Sequence, residues 1–238
     1  MNLKKKIKYW ALLPVYSLIL AALFLVAIGG SEVASVLSAY APIARERTII
    51  IDAGHGGVDG GATSCTGILE SQFNLEIALR LEDLCHLLGM DTRMIRRTDC
   101  SVYTKGETIA QKKVSDLKER VRVVNEGKNN ILISIHQNHF TDNKYHGAQV
   151  FYAQTEGSQQ LALNMQSAFV STVNTGSKRQ AKKADGVYLM QHINCPGILI
   201  ECGFLSNPQE EYLLRSADYQ KKICAVIACT ISKSVFST

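Results

Sequence analysis

Two histidines and two glutamates stand out in this sequence because each lies where a strand ends or a helix starts. His55 lies in Asp52-Ala53-Gly54-His55-Gly56-Gly57, at the end of a short apolar run. His136 lies in Ser134-Ile135-His136-Gln137-Asn138, at the end of another. Glu201 opens Glu201-Cys202-Gly203-Phe204 at the end of a third, and Glu70 begins a long amphipathic stretch. This set suits metal-assisted hydrolysis. Zinc in hydrolases takes three protein ligands and keeps a fourth position open for water. It lowers the pKa of that water to ~7 and polarises the scissile carbonyl. A separate carboxylate must then take the water proton and pass it to the leaving amine. Two imidazoles, one ligand carboxylate and one free carboxylate meet those needs. Glycines around His55 let backbone and substrate approach closely. The chemistry alone leaves open which glutamate is ligand and which is base.

These residues must be positioned by the elements that precede them. Thr48–Asp52 reads as a buried strand. Glu70–Leu88 has apolar residues at Phe73, Ile77, Leu81, Leu84 and Leu88, the spacing of an amphipathic helix, with Gly89 as its stop. Thr92–Arg97 reads as a second strand, followed by polar sequence from Thr98 to Lys113. A helix capped by Ser115 or Asp116 is expected up to Glu126. Ile131–Ile135 and Gly147–Ala153 are further strands, and Ser158–Val173 is a helix. Val187–Gln191 and Gly197–Ile200 read as strands. Asn207 caps the next helix, with Pro208 at its first position and Glu210 completing a capping box. Ala217–Phe236 is the last helix. Alternating strands and helices predict an α/β, three-layer fold, with a twisted, mostly parallel sheet and helices on both faces. Such sheets bind ligands beyond the carboxyl ends of their strands, where the four residues gather.

Each piece has a plainer reading. Gly54-x-Gly56-x-x-x-Gly60 after a strand suggests a nucleotide loop, but it lacks the Lys-Ser/Thr of a phosphate-binding loop and the dinucleotide spacing. Glu70 alone fits a helix N-terminal acid favoured by the dipole. Glu201 is more telling, because a carboxylate on an apolar strand needs a partner or a metal. His86 near a helix end and His146 in a polar loop read as surface residues, and His192 as a residue that could border the cleft.

Together the segments resemble the zinc-dependent N-acetylmuramoyl-L-alanine amidases. That pattern is Asp-x-Gly-His-Gly-Gly, a Glu at a helix start, Ser-x-His-x-Asn, and Glu-x-Gly-Phe-x-Ser-Asn, here Asp52–Gly57, Glu70, Ser134–Asn138 and Glu201–Asn207. Leu117-x-x-Arg120 followed by Asn125 is similar to the helix before the third strand in that family. The resemblance runs from Thr48 to the C-terminus. It implies zinc on His55, Glu70 and His136, with Glu201 as catalytic base. It implies cleavage of the amide between the lactyl group of N-acetylmuramic acid and L-alanine in peptidoglycan. One compact domain without wall-binding repeats is most similar to the spore-cortex subgroup, which strips stem peptides so that muramic-δ-lactam can form. Peptidoglycan is the implied partner, and the sequence leaves open whether an activator protein is another. A zinc peptidase cutting within the stem, or a wall-binding regulator without activity, are the rival readings. Many relatives carry a small residue where this chain has His139-Phe140, so His139 could crowd the groove, bind substrate or be exposed. Asn138 and Asp52 are candidates for orienting a ligand or contacting substrate.

Composition frames these expectations. The chain has 238 residues, 46% of them hydrophobic, enough for one sizeable core. The net charge is +5, but Lys4, Lys5, Lys6, Lys8, Arg45 and Arg47 lie before the domain. The remainder is close to neutral, so nucleic acid is not an expected partner. Seven Cys without a CxxC pair exclude zinc-ribbon and thioredoxin-like readings. Cys85, Cys202, Cys224 and Cys229 sit at apolar positions and are expected to fill core space. The lysine cluster precedes an uncharged stretch from Trp10 to Ile28, close to the ~20 apolar residues that span a bilayer. Its charge asymmetry predicts export of everything after Gly30. The stretch would be a membrane anchor, or a signal peptide cleaved at Ala39-Tyr40-Ala41, where Pro42 disfavours cleavage. The expected organisation is an anchor or signal over 1–30, a stalk over 31–47 and a catalytic domain over 48–238.

Overall fold

A computed structural model describes residues 47–236 of the chain. The segments expected to be an anchor or signal, over 1–30, and a stalk, over 31–47, lie outside the described residues except for Arg47. No described helix is long and apolar enough to cross a membrane.

Six strands form one sheet: β1 (Thr48–Ala53), β2 (Asp91–Met94), β3 (Asn130–Asn138), β4 (Gln149–Tyr152), β5 (Lys182–Lys183) and β6 (Gly197–Phe204). Their order is β2-β1-β3-β6-β4-β5. Pairs β2–β1, β1–β3 and β3–β6 are parallel, β6–β4 is antiparallel, and β4–β5 is parallel. Six helices accompany them: α1 (Glu70–Leu87), α2 (Ile109–Asn125), α3 (Ser158–Thr172), α4 (Tyr188–His192), α5 (Pro208–Leu214) and α6 (Ala217–Phe236).

The strand period of two divides the core between the faces. Ile49, Ile51, Ile133, Ile135, Ile198 and Ile200 pack with Ile77 and Leu81 of α1, Phe169 of α3 and Ile227 of α6. Ile50, Leu132 and Leu199 pack on the other face with Val124 of α2 and Leu189 of α4. The central strands are covered on both sides, which is why they read as unbroken apolar runs. The three layers expected from the sequence are present.

Several local expectations are corrected. Val187–Gln191 is not a strand: Tyr188–His192 is a single helical turn or so, and Leu189 and Met190 are its buried residues. The second strand ends at Met94, short of Arg97. α2 begins at Ile109, inside the expected polar stretch, because Thr108 and Gln111 form a reciprocal capping box. Ser115 and Asp116 are not its caps; their side chains accept from the backbone N–H groups of Thr104 and Val102 and hold the preceding loop. Asn207 does cap α5, accepting from Gln209 and Glu210. Glu210 does not close that box, since its carboxylate accepts from the N–H groups of Gly147 and Phe204 instead. Cys85, Cys202 and Cys224 are buried as expected, but Cys229 is exposed.

Candidate metal centre

β1 runs in parallel beside β3, so the two chains leave the sheet together, and the residues beyond Ala53 meet those beyond Ile135. Gly54 makes this approach feasible, since a Cβ there would stand 2.2 Å from His136 Nε2. His55 follows in a left-handed conformation, with φ at 60°. A non-glycine residue pays strain there, so its surroundings must hold it. They do so at both ends: Arg120 Nη2 donates to the His55 carbonyl at 2.7 Å, and His55 Nδ1 lies 3.0 Å from Asp59 Oδ2.

Glu70, the first residue of α1, is wedged between the two imidazoles. Its Oε2 lies 3.3 Å from His55 Nε2, and its Oε1 3.0 Å from His136 Nδ1. Backbone N–H groups of Ala62 and Gln137 donate to the same two oxygens, and so does the Asn74 amide to Oε1. Gly61 permits this packing, for a Cβ at that position would sit 2.6 Å from Glu70 Oε2. Burial opposes ionisation of Glu70, but His136 and His55 outweigh it and hold the carboxyl far below its ordinary range. Burial likewise opposes charge on His55, yet Glu70 and Asp59 push its pKa up to about 9. The Glu70 and Asp59 carboxylates thus flank the His55 ring and favour a cation beside them. One donor atom from each of His55, Glu70 and His136 lies within 4.8 Å of the others, so these residues could hold a metal ion. The imidazoles remain 26% and 19% exposed while the Glu70 side chain is only 6% exposed, so the cluster opens to solvent on its histidine side.

Glu201 differs from Glu70. It lies directly across from His136 in the β3–β6 ladder. Its Oε2 is sealed from solvent and has no hydrogen-bond partner. Burial, helped by the charge of Glu70 and opposed by His136 and His55, pushes its pKa up to about 7. One glutamate thus has both oxygens engaged, and the other keeps a buried oxygen free.

Residues 49–233 match the N-acetylmuramoyl-L-alanine amidase family. The chain belongs to that family. It is 37% identical over 183 residues to the germination-specific N-acetylmuramoyl-L-alanine amidase of Bacillus subtilis, covering 76% of each sequence. Among solved structures it is similar to the CwlD amidase of Clostridioides difficile, solved in complex with the GerS lipoprotein. The TM-score is 0.76 at 38% identity, covering 80% of this chain and 98% of that one. An N-acetylmuramoyl-L-alanine amidase from Clostridium difficile 630 aligns with TM-score 0.68 at 30% identity, covering 78% of this chain and 94% of that one.

The remaining candidates of this amidase fall in different places. Asp52 is fully buried and pairs with the Arg120 guanidinium while accepting from Ser134 Oγ at 2.6 Å. It therefore does not face the cluster's open side but supports it through Arg120. Asn138 uses its carbonyl to accept from the Leu205 N–H and is half-buried. His139 is exposed. His192 does not border the site. It precedes β6, and its carbonyl accepts from Asn125 at the far end of α2, on the opposite pole of the sheet.

Sequence reading missed two supports. Asp59 bridges His55 Nδ1 and Lys113 Nζ, which lies 2.8 Å from Asp59 Oδ1. Its spacing four residues after a histidine in a glycine-rich loop was the available signal, because ligand imidazoles commonly lean on a carboxylate. Arg96 is buried without a carboxylate partner, and donates to the carbonyls of Ala53, Gly54, Ser71 and Thr98. Backbone acceptors leave no trace in sequence, so nothing marked it.

Proposed function

We propose that this chain hydrolyses the amide between the lactyl group of N-acetylmuramic acid and L-alanine of the peptidoglycan stem, with His55, Glu70 and His136 holding zinc and Glu201 as base. The observation that carries this reading is the contrast between the two glutamates. Glu70 has both oxygens turned to imidazoles and backbone N–H groups, as a ligand carboxylate would. Glu201 keeps a buried oxygen unpartnered beside His136. A His₂Glu donor set is an established one for catalytic zinc.

Bound zinc supplies a Lewis acid for the scissile carbonyl and acidifies the attacking water. The Glu201 carboxylate would take the proton of that water and deliver it to the nitrogen of the leaving L-alanine. Asp59 keeps the His55 ring oriented, and Arg120 and Arg96 fix the backbone from Ala53 to His55, so the donor atoms are preorganised. Digestion of purified peptidoglycan followed by mass spectrometry tests the reading. Peptides beginning with free L-alanine are expected; shortened stem peptides would replace it with a zinc peptidase.

Similarity to the germination-specific relative supports action on the spore cortex, and faster release from spore than from vegetative peptidoglycan would bear that out. The solved complex of the CwlD relative with GerS supports an activator partner for this enzyme as well. We further infer that the Lys4–Lys8 cluster and the apolar segment 10–28 export the domain from the cytoplasm, as a wall substrate requires, either anchoring it or being cleaved. N-terminal sequencing of the mature protein distinguishes the two outcomes.

A further inference from the structure

A cavity of about 620 Å³ lies on the β4 side of the site, with Lys144, Gln149, Lys178, Arg179 and Lys182 in its walls and no carboxylate side chain. It begins one strand away from Glu201. Gln149 sits opposite Glu201 in the β4–β6 ladder, as His136 does in the β3–β6 ladder. Neighbouring strands stand about 4.8 Å apart, so Glu201 is flanked by the metal cluster on one side and by this pocket on the other.

Arg179 is the fixed cation of the pocket. Its Nε donates to the His146 carbonyl at 3.0 Å and its Nη1 reaches Gln149 Oε1 at 3.4 Å. Its guanidinium lies 5.0 Å from the centroid of the Phe204 ring. None of these partners neutralises its charge. Lys144 is paired with Asp142 at 2.7 Å. Among the described residues, Lys178, Arg179 and Lys182 have no acidic partner. Glu210 lies within electrostatic range of Arg179, but its carboxylate accepts from the Gly147 and Phe204 N–H groups and is not among the pocket's walls. A concave wall with three cations outside any ion pair attracts an anion.

The substrate has an anionic half and a neutral half. N-acetylmuramic acid in amide linkage carries no charge. The stem peptide carries carboxylates, beginning with the free α-carboxylate of its γ-linked glutamyl residue. We infer that this pocket binds a carboxylate of the stem peptide and so sets which side of the scissile amide lies over β4. The inference rests on the amidase reading and assigns the peptide to the Arg179 side and the glycan to the other.

The test compares two synthetic muramoyl-peptide substrates that differ only in having that glutamyl carboxylate free or amidated. The full zinc-loaded chain is assayed, and the readout is the ratio of kcat/KM for the free acid over the amide. A charge-assisted contact predicts a ratio of at least about tenfold. In Arg179→Gln, and separately in Lys178→Gln combined with Lys182→Gln, the ratio should fall toward one. The lysine pair is exposed, so that variant tests the pocket even if loss of Arg179 perturbs folding. A Lys182→Glu variant should fall further still. Cleavage of both substrates with a ratio near one, or a ratio unchanged in the lysine variant, would overturn the inference and leave the amidase reading intact. Failure of the wild-type enzyme to release L-alanine peptides from either substrate, or from whole peptidoglycan, would instead remove the amidase reading and this inference with it.

Discussion

Arg120 donates to the carbonyl oxygen of His55 at 2.7 Å while its guanidinium pairs with buried Asp52 and, at 2.6 Å, with Asp116. The left-handed backbone at His55 is therefore held by a charge buried behind it, and that arrangement has measurable consequences.

Asp52→Asn leaves Arg120 in a 3% exposed position without its main counter-charge. Breaking one side of a buried pair costs about 3–5 kcal/mol, and at about 2–4 °C per kcal/mol for a domain of this size the Tm should fall by roughly 10 °C. Calorimetry checks this, and an unchanged Tm would remove the pair from the supports of the fold. The pH dependence has a defined sign. Burial raises the Asp52 pKa, but Arg120, His136 and Ser134 together bring it below its ordinary value. The stabilisation is thus complete above the unfolded value of about 3.9 and is lost as pH falls through the lower folded value. The wild type should lose stability below about pH 4 more steeply than Asp52→Asn.

Glu201→Ala should bind zinc as tightly as the wild type yet lose about 10²–10⁴-fold in turnover. His136→Ala should lose zinc itself. Elemental analysis and peptide release, measured on the same samples, separate the two effects. Near-wild-type turnover in Glu201→Ala would refute its assignment as base.

Asp59→Asn should weaken zinc affinity about 10–100-fold, because His55 Nδ1 loses its carboxylate partner. The effect should appear in metal titration and vanish from turnover at saturating zinc. A variant that binds zinc normally would reduce Asp59 to a contact for Lys113.

Chelation should lower the Tm reversibly. A metal held at 100 times its dissociation constant stabilises the fold by about 2.7 kcal/mol, which corresponds to roughly 5–10 °C here. In Glu70→Gln, where the charge between the imidazoles is gone, chelator should make little difference to the Tm.

The sequence made the centre of the sheet readable because β1, β3 and β6 are covered on both faces, so their apolar runs are unbroken. Glu70 was readable as a helix start for a similar reason, since Phe73, Ile77 and Leu81 mark one buried face. Short elements were not. Tyr188–His192 is too brief to display a helical period, and Val187 and Tyr188 favour strand by composition. Glu210 carries the spacing of a capping box, but tertiary contact redirects it to Gly147 and Phe204. In the site, His55, Glu70, His136 and Glu201 could be picked out, and Asp52 as a residue orienting a ligand, while Arg96, Asp59 and the pairing of Asp52 with Arg120 could not. Arg96 bonds only to carbonyls, and Arg120 finds Asp52 at a separation of 68 residues.

That long-range assembly also bears on when the enzyme can act. Glu70 and His136 are 66 residues apart, and Asp52 meets Ser134 across 82. Parallel strands joined by such crossovers pay loop-closure entropy before their contacts form, which makes them slow to pair. Glu201 arrives later still, on β6, after most of the chain has been laid down. The proposed centre is therefore complete only once β6 has paired, and neither a nascent chain nor one clipped before Glu201 carries it. A chain threaded unfolded through a membrane would stay harmless to its own cell until the last strand is in place.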